Sequence, residues 1–356
     1  MGETAGVAQA PFKLDSVLDY TLYSEINPIF AKATENTGQI AKHYQEVAAN
    51  YDQAAQNQLV TFLDNHDQPR FLSVKGATTD RLKVALVFLY TTRGIPCLYY
   101  GTEQAFDGAK DPWDREDMFA GQFERGPSLG DNFNMTHPLY QFVARLNNFR
   151  RLYPALQTGV QSNLWSNING PGLFAYTRRL GTQEVFVVFN TADTGQTLPA
   201  CSTICPAGTR LQNLLGQNEN LTVNSKGLIP SIIVPATSAK IFIAESQVRP
   251  LNPVVTSISP AHDAKEVSPS ALITIHFSEP MDIDSVQEAF SITPQVNGKF
   301  SWSAAHDEMT FAPADRGFPP QTLVSVRIGD AGFTVASRKT FYAGFESRFR
   351  TGEAGQ

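Results

Sequence analysis

The chemically richest stretch of the sequence follows directly on an apolar run. Residues 59–63 read LVTFL, and the residues after them include Asn65, His66, Asp67 and Arg70. If the run is a strand of a βα barrel, these side chains lie at its carboxyl end, where catalytic groups gather. Such groups are hard to explain as packing, because a core strand does not carry charges without partners. The residues alone leave a second interpretation open, a solvated loop with a helix cap.

The elements around this stretch alternate between strand-like and helical patterns. Short apolar runs predict strands, and apolar residues at three- and four-residue spacing predict helices. The predicted strands are residues 16–20, 59–63 and 95–100, and the predicted helices are residues 39–55, a helix from an N-cap at Thr79 or Asp80 to Gly94, and residues 139–152. Because residues 95–100 are continuously apolar, we expect a parallel strand covered on both faces, with Cys97 buried. The alternation predicts an α/β fold.

Two all-β regions follow this α/β part. After Pro154 the helical spacing fades into short β-type runs between Gly, Asn and Pro turns, and residues 248–253 (VRPLNP) read as a linker. Beyond the linker, alternating segments and a hairpin signal at Asn297–Gly298 fit a β-sandwich. We therefore predict domains at residues 1–155, 156–246 and 252–352. The aromatic residues expected in a core are Trp165, Phe174, Phe186, Phe189 and Phe242.

Two smaller features leave alternatives open. Cys201 and Cys205 lie close together in CSTIC, which allows a local disulfide or two free thiols, while a metal site needs more ligands than this pair offers. Trp302 is either a buried core residue, the favoured interpretation, or an exposed aromatic that binds starch.

Composition narrows the class of protein. The net charge is −6 and 42% of the residues are hydrophobic, which indicates a globular chain without the basic face of a nucleic-acid binder. No apolar run reaches membrane-spanning length, and the first ten residues show no secretory signal pattern.

The polar stretch also resembles a known family, together with its neighbours from residue 14 to about residue 244. FLDNHDQPRF resembles the fourth conserved region of the α-amylase family of retaining glycosidases, glycoside hydrolase family 13. LDSVLDYTLY resembles the sixth barrel strand of that family, GIPCLYYGTEQ the eighth, and DPWDRED the sugar-binding loop that follows. The resemblance implies the C-terminal part of a (β/α)8 TIM barrel and an antiparallel β-sandwich C-domain. Residues 253–352 resemble a bacterial immunoglobulin-like module, usually a spacer or stalk.

The resemblance implies roles for five residues. Retaining glycosidases use one carboxylate as nucleophile and one as proton donor, and this family adds a third that stabilises the transition state. Asp67 matches the third carboxylate, and Glu3 matches the general acid or is merely a charged residue at a frayed terminus. His66, Asp111 and Arg115 match residues that bind sugar. Asp111 and Arg115 also read as a surface ion pair four residues apart.

Some parts of the family pattern do not occur in this sequence. We find neither the Gly-x-Arg-x-Asp pattern of the nucleophile nor the Asp-x-x-x-Asn-His pattern of the third strand. We therefore expect a truncated barrel without a nucleophile that is inactive alone and pairs with an N-terminal half-barrel encoded upstream. No metal ligand or cofactor is identifiable in the chain, although the resemblance implies calcium for a complete family member.

Two classes of function remain. The first is an α-amylase-like hydrolase of α-1,4-glucans such as starch, glycogen and maltodextrins, or a transglycosylase, since water and a sugar hydroxyl compete for one intermediate. The second is a non-catalytic carbohydrate-binding or cell-surface module with a vestigial barrel. The presence of His66, Asp67, Asp111 and Arg115 favours the first. The family and the immunoglobulin-like module together imply an extracellular or cell-surface location.

Overall fold

A computed structural model describes residues 16–119, 130–216, 219–314 and 317–353. The chain divides into two compact units. The first contains the described residues up to Glu116 together with Leu146–Arg249, and the second contains those of Asp117–Arg145 together with the residues from Pro250 onward. The first unit thus holds most of the α/β part and the first all-β region. The boundaries of the three predicted domains stay a prediction.

The helices lie mainly in the first unit. The described α-helices are α1 (Tyr20–Ile26), α2 (Gly38–Asn50), α3 (Gln53–Gln56), α4 (Thr79–Thr91), α5 (Pro138–Leu152), α6 (Pro154–Thr158) and α7 (Ile283–Ala289). A π-helical turn, Asn27–Ala31, continues α1, and the described 3-10 turns are Phe71–Ser73, Thr102–Gln104, Trp113–Arg115 and Glu245–Gln247. Within the described ranges, no helix is both long enough and apolar enough to cross a bilayer.

The strands of the first unit form one parallel pair and an antiparallel region. The parallel pair is β1 (Val60–Phe62) and β2 (Ile95–Cys97). The antiparallel strands are β3 (Val160–Ser166), β4 (Leu173–Leu180), β5 (Gln183–Asn190), β6 (Gln196–Leu198), β7 (Cys201–Ser202), β8 (Arg210–Asn213), β9 (Asn220–Thr222), β10 (Leu228–Ile229), β11 (Ile232–Val234) and β12 (Ser238–Ala244). Among the described strands, the main sheet runs β3-β4-β5-β12-β8-β9, beside the pairs β6-β11 and β7-β10.

The second unit contains a two-sheet sandwich. Its strands are β13 (Val255–Ser259), β14 (Ala264–Val267), β15 (Ile273–Phe277), β16 (Phe290–Thr293), β17 (Gly298–Trp302), β18 (Glu308–Pro313), β19 (Leu323–Ile328) and β20 (Phe345–Thr351). One sheet has the order β13-β15-β18-β17 and the other β14-β20-β19-β16. Their buried side chains form one apolar core, as in aligned sandwiches.

The parallel pair confirms one predicted strand and corrects two. Residues 59–63 contain β1, as predicted. Residues 16–20 form only a bridge from Leu18 to Val60, because the Asp19 side chain accepts a hydrogen bond from the Leu22 N–H and starts α1. The strand predicted at residues 95–100 ends at Cys97, which is exposed, and Ile95 is 45% exposed. The expected burial of Cys97 is wrong because one face of the pair has no covering layer of described residues.

Helix α4 is capped one residue earlier than predicted. Thr78, and not Thr79 or Asp80, is the N-cap, and its Oγ1 accepts a hydrogen bond from the Arg81 N–H at 3.2 Å. The helix ends at Thr91, before Gly94. Gly94 has a φ of +98°, and a Cβ there would lie 2.6 Å from the Leu59 carbonyl oxygen, so this glycine allows the close approach of β2 to β1.

The position of the cap gives a first testable prediction. The variant Thr78→Ala loses the oxygen that satisfies the Arg81 N–H, and we expect it to lower the free energy of unfolding by about 1 kcal/mol. Chemical denaturation measures this loss, with Thr79→Ala as the matched control. A larger loss for Thr79→Ala than for Thr78→Ala would contradict this assignment.

Two arginines, the half-buried Arg150 and the fully buried Arg178, bind the carboxyl end of α4. Arg150 Nη1 donates to the carbonyl oxygens of Tyr90 at 3.0 Å and Thr92 at 3.3 Å. Arg178 Nη1 donates to the Thr91 carbonyl at 2.8 Å, and its Nη2 to the Gly159 carbonyl at 3.0 Å. Cations at this end of a helix oppose the partial negative charge of its free carbonyls. Burial, followed by the neighbouring charge of Arg150, lowers the pKa of Arg178 to about 10.

The aromatic predictions for the first all-β region are confirmed except for one. Phe174, Phe186, Phe189 and Phe242 are buried. Trp165 is 40% exposed, because β3 is an edge strand whose register shifts between Asn163 and Trp165. Its expected core position is therefore wrong.

Cys201 and Cys205 are free thiols, the first buried and the second half-buried. Burial raises the pKa of both thiols.

The sandwich of the second unit confirms one prediction and corrects another. Trp302 is half-buried and stacks on Phe277 with ring centroids 5.8 Å apart, which supports the core interpretation. The hairpin predicted at Asn297–Gly298 is wrong, because β16 and β17 belong to different sheets and Gly298 begins β17.

Candidate active site

The loop after β1 is closed by two of its own side chains. Asp64 is buried, and its Oδ2 accepts a hydrogen bond from the Phe71 N–H at 2.9 Å. Asn65 Oδ1 accepts from the Asp67 N–H at 2.8 Å. Burial raises the pKa of the Asp64 carboxyl, against the opposing effects of the Phe71 N–H and the Arg70 charge. These two hydrogen bonds fix the backbone position from which the Asp67 side chain projects.

Arg70 joins this loop to the chain after β2. Its side chain is fully buried, and Nε donates to the Asp114 carbonyl at 3.0 Å, while Nη1 donates to the Tyr100 carbonyl. The guanidinium lies 4.1 Å from the ring centroid of Tyr99 and 5.3 Å from that of Phe106, in cation–π contact. The sequence motif alone gives Arg70 no role. The available signal is its place after one predicted strand, with Tyr99 and Tyr100 at the end of the next predicted strand.

A glycine allows the second loop to close on the first. Gly108 has a φ of +149°, and a Cβ there would lie 2.1 Å from the Trp113 carbonyl oxygen. Its own carbonyl accepts a hydrogen bond from the Arg70 N–H at 2.9 Å. Only glycine fits this close approach. The residue was missed by sequence analysis because a single glycine in a loop carries no specific signal.

Four of the five predicted site residues come together at the surface, and we call them the exposed quartet: His66, Asp67, Asp111 and Arg115. Arg115 Nη2 lies 3.4 Å from Asp67 Oδ1, its Nε donates to the His66 carbonyl at 2.9 Å, and Nε lies 3.7 Å from Asp111 Oδ1. His66 Nε2 lies 3.3 Å from Asp67 Oδ2. The predicted surface pair of Asp111 and Arg115 therefore exists, but Arg115 also contacts the loop after β1. Glu3 lies outside the described residues.

The quartet is open to solvent and suited to binding a ligand. Its side chains are between 48% and 71% exposed, so their mutual ion pairs contribute little to stability. Their donors and acceptors remain accessible to a polyhydroxylated ligand. Beside them, Asn65 Nδ2 donates to the hydroxyl of the part-exposed Tyr20, whose ring packs edge-on against Phe62 at 5.1 Å. Carboxylates, an imidazole, a guanidinium and an aromatic face can together bind sugar hydroxyls and a sugar ring.

Across the described ranges, no three His, Cys, Asp or Glu side chains converge on a point where they could hold a metal ion. The calcium that the family resemblance implies for a complete family member stays a prediction.

Comparison with protein families gives one match for the α/β part. Residues 6–159 match the family model described as the alpha-amylase catalytic domain. Over these residues the chain is therefore similar to the α-amylase family. Residues 251–351 match the model of a bacterial Ig-like domain, in agreement with the resemblance found in the sequence.

Relatives of the α-amylase family cover part of the chain. Over 68% of this chain, the sequence is 34% identical to the beta/alpha-amylase of Paenibacillus polymyxa. Over 60% of this chain, it is 31% identical to a cyclomaltodextrin glucanotransferase of Geobacillus stearothermophilus. It is 30% identical to an alpha-amylase of Niallia circulans over 62%. The chain spans only 19%, 28% and 39% of these three proteins, respectively.

Solved α-amylase-family structures share the fold. CldA, described as a cyclomaltodextrin glucanotransferase with a three-domain ABC distribution, aligns with a TM-score of 0.57 and 28% identity over 68% of this chain and 46% of its own. The gamma-CGTase of alkalophilic Bacillus clarkii aligns over 98% of this chain and 47% of its own, with a TM-score of 0.57 and 21% identity. At that identity, the second match concerns the fold alone.

Proposed function

We propose that the exposed quartet is the sugar-binding part of an α-amylase-type active site for α-1,4-glucans. The observation that carries this proposal is the position of Arg115, which contacts Asp67, Asp111 and the His66 carbonyl across two loops. The match of residues 6–159 to the alpha-amylase catalytic domain supports it.

In the proposed mechanism, Asp67 stabilises the transition state. Positive charge develops on the sugar ring as the glycosidic bond breaks, and a carboxylate held beside that ring lowers the energy of the charged state. His66 and Arg115 fix the orientation of Asp67 by contacting one carboxylate oxygen each. Asp111 and the remaining Arg115 donors bind the hydroxyls of the neighbouring sugar. Glu3 is proposed as the general acid.

The nucleophile is proposed to come from an N-terminal half-barrel, because no segment of this sequence has the family's nucleophile pattern. The exposure of Ile95 and Cys97 supports this proposal, since closing a barrel with further strands buries the side chains that face its interior. In a completed barrel, either water or a sugar hydroxyl attacks the covalent intermediate. The matches to both amylases and glucanotransferases are the reason to keep transglycosylation as the second candidate. We propose an extracellular or cell-surface location, which the Ig-like match supports.

The second prediction tests sugar binding without requiring catalysis. Replacing Arg115 with Lys keeps the charge but removes the fork that bridges Asp67 and Asp111. We expect the Kd for maltoheptaose to rise about tenfold or more, since about 1.4 kcal/mol of binding energy gives a tenfold change. NMR titration of the chain measures the Kd.

The control is Arg179→Lys, which changes an exposed arginine on β4 and should leave the Kd unchanged. Absence of binding by the wild-type chain at millimolar maltoheptaose would contradict the proposed function. So would an Arg115→Lys variant that binds as tightly as the wild type.

A further inference from the structure

The second unit contains a polar cluster around a buried carboxylate, and the proposed function does not use this cluster. Asp131 Oδ2 lies 2.9 Å from His262 Nε2 and 2.6 Å from Arg348 Nε. The Asp131 N–H also points to Asp263 Oδ2 at 3.5 Å, a weak contact. Asp131 belongs to the stretch that matches the α-amylase catalytic domain, whereas the other residues belong to the Ig-like match.

The order of groups in this cluster is that of an acyl-transfer triad, but its burial excludes that role. His262 Nδ1 lies 3.3 Å from Ser347 Oγ, so serine, histidine and aspartate follow one another. The side chains of His262 and Asp131 are only 5% and 2% exposed, and Ser347 is buried on β20. No substrate carbonyl can reach the Ser347 hydroxyl without unfolding this region. The cluster is therefore a packing contact between two segments of chain.

Apolar and neutral polar contacts extend the same interface. Met135 is partly buried against the core of the sandwich, and its Sδ accepts from the Glu346 N–H at 3.4 Å. Gln141 Nε2 donates to the Val255 carbonyl at 3.1 Å, at the first strand of the sandwich. Residues 130–141 thus contact the sandwich at three successive points, through Asp131, Met135 and Gln141. The buried carboxylate is tolerated there because the Arg348 guanidinium and the His262 ring both face it.

We infer that residues 130–141 are an integral part of the folded Ig-like unit. The edge formed by His262, Ser347 and Arg348, which we call the docking edge, binds a carboxylate, and its occupant is Asp131 of the same chain. A module cut at the family boundary of residues 251–351 lacks this segment and exposes both the docking edge and the apolar site of Met135. The module is therefore more than a self-contained spacer.

The third prediction tests this inference in the full chain by hydrogen exchange. The variant Asp131→Asn removes the negative charge that faces His262 and Arg348. We expect amide exchange to become at least tenfold faster in residues 130–137 and, at the same time, in β14 and β20. The exposed Asp330 of the same unit provides the control Asp330→Asn, which should exchange as the wild type does.

The distribution of the change decides the outcome. The inference is overturned if exchange becomes faster only in residues 130–137 while β14 and β20 stay as protected as in the wild type. In that case the sandwich does not depend on the segment for its stability. Unchanged exchange in both regions overturns it as well. If Asp131→Asn does not fold, His262→Gln decides by the same criterion, because glutamine keeps one donor and the change is milder. None of these outcomes depends on sugar binding.

Discussion

Replacing Asp67 with Asn is expected to lower kcat for α-1,4-glucan cleavage by about 100- to 1,000-fold in a barrel completed with an N-terminal half. Asparagine keeps the shape of the side chain and can still contact Arg115, but it does not oppose the positive charge that develops on the sugar. Since that charge exists only in the transition state, KM should change little. Initial rates of reducing-sugar release from the mixed halves measure the effect.

The control for this fourth prediction is Asp80→Asn, which neutralises an exposed aspartate at the start of α4 and should retain full activity. A fall in kcat/KM that arises only from a higher KM would assign Asp67 to ground-state binding of sugar and contradict its proposed role. Unchanged kcat would do the same.

Replacing Arg178 with Ala is expected to lower the free energy of unfolding of the first unit by about 2–4 kcal/mol. The wild-type guanidinium donates to the carbonyls of Thr91, Gln157 and Gly159, so its removal leaves buried acceptors without donors and a cavity beside α4. Relief from the cost of burying a cation offsets part of this loss. Guanidinium chloride denaturation followed by circular dichroism measures the difference.

The adjacent residue supplies the matched control for this fifth prediction. Arg179 follows Arg178 on β4 but is exposed, and its Nε has only a 3.4 Å contact with the Gly181 carbonyl. Arg179→Ala should change the free energy of unfolding by less than about 0.5 kcal/mol. Equal losses for the two variants would show that Arg178 acts through general charge and not through its buried hydrogen bonds.

Sequence patterns predicted the elements whose signals are local. The apolar run that contains β1, the helical spacing of α4 and the phenylalanines of the antiparallel sheet all follow from hydrophobic periodicity. The predictions that failed depend on contacts made elsewhere in the fold. Trp165 is exposed because β3 lies at a sheet edge, and the turn signal at Asn297–Gly298 lies between strands of different sheets.

In the candidate site, too, local motifs predicted the residues, whereas the contacts between loops could not be predicted. The motif predicted that His66 and Asp67 lie at a strand end, and the sugar-loop motif placed Asp111 and Arg115 in a second loop. Spacing alone could not show that Arg115 contacts the loop 48 residues before it, or that buried Arg70 joins the same two loops. The role of Glu3 remains a prediction, because that residue lies outside the described ranges.

The exposed Cys97 on the parallel pair gives this chain a natural attachment point for a probe. Cys97 is accessible there, whereas burial raises the pKa of the Cys201 and Cys205 thiols and so lowers their thiolate fraction near neutral pH. A maleimide dye therefore discriminates among the three cysteines of the native sequence without any substitution. The fluorophore then sits on β2, where its emission reports the arrival of any neighbouring strand.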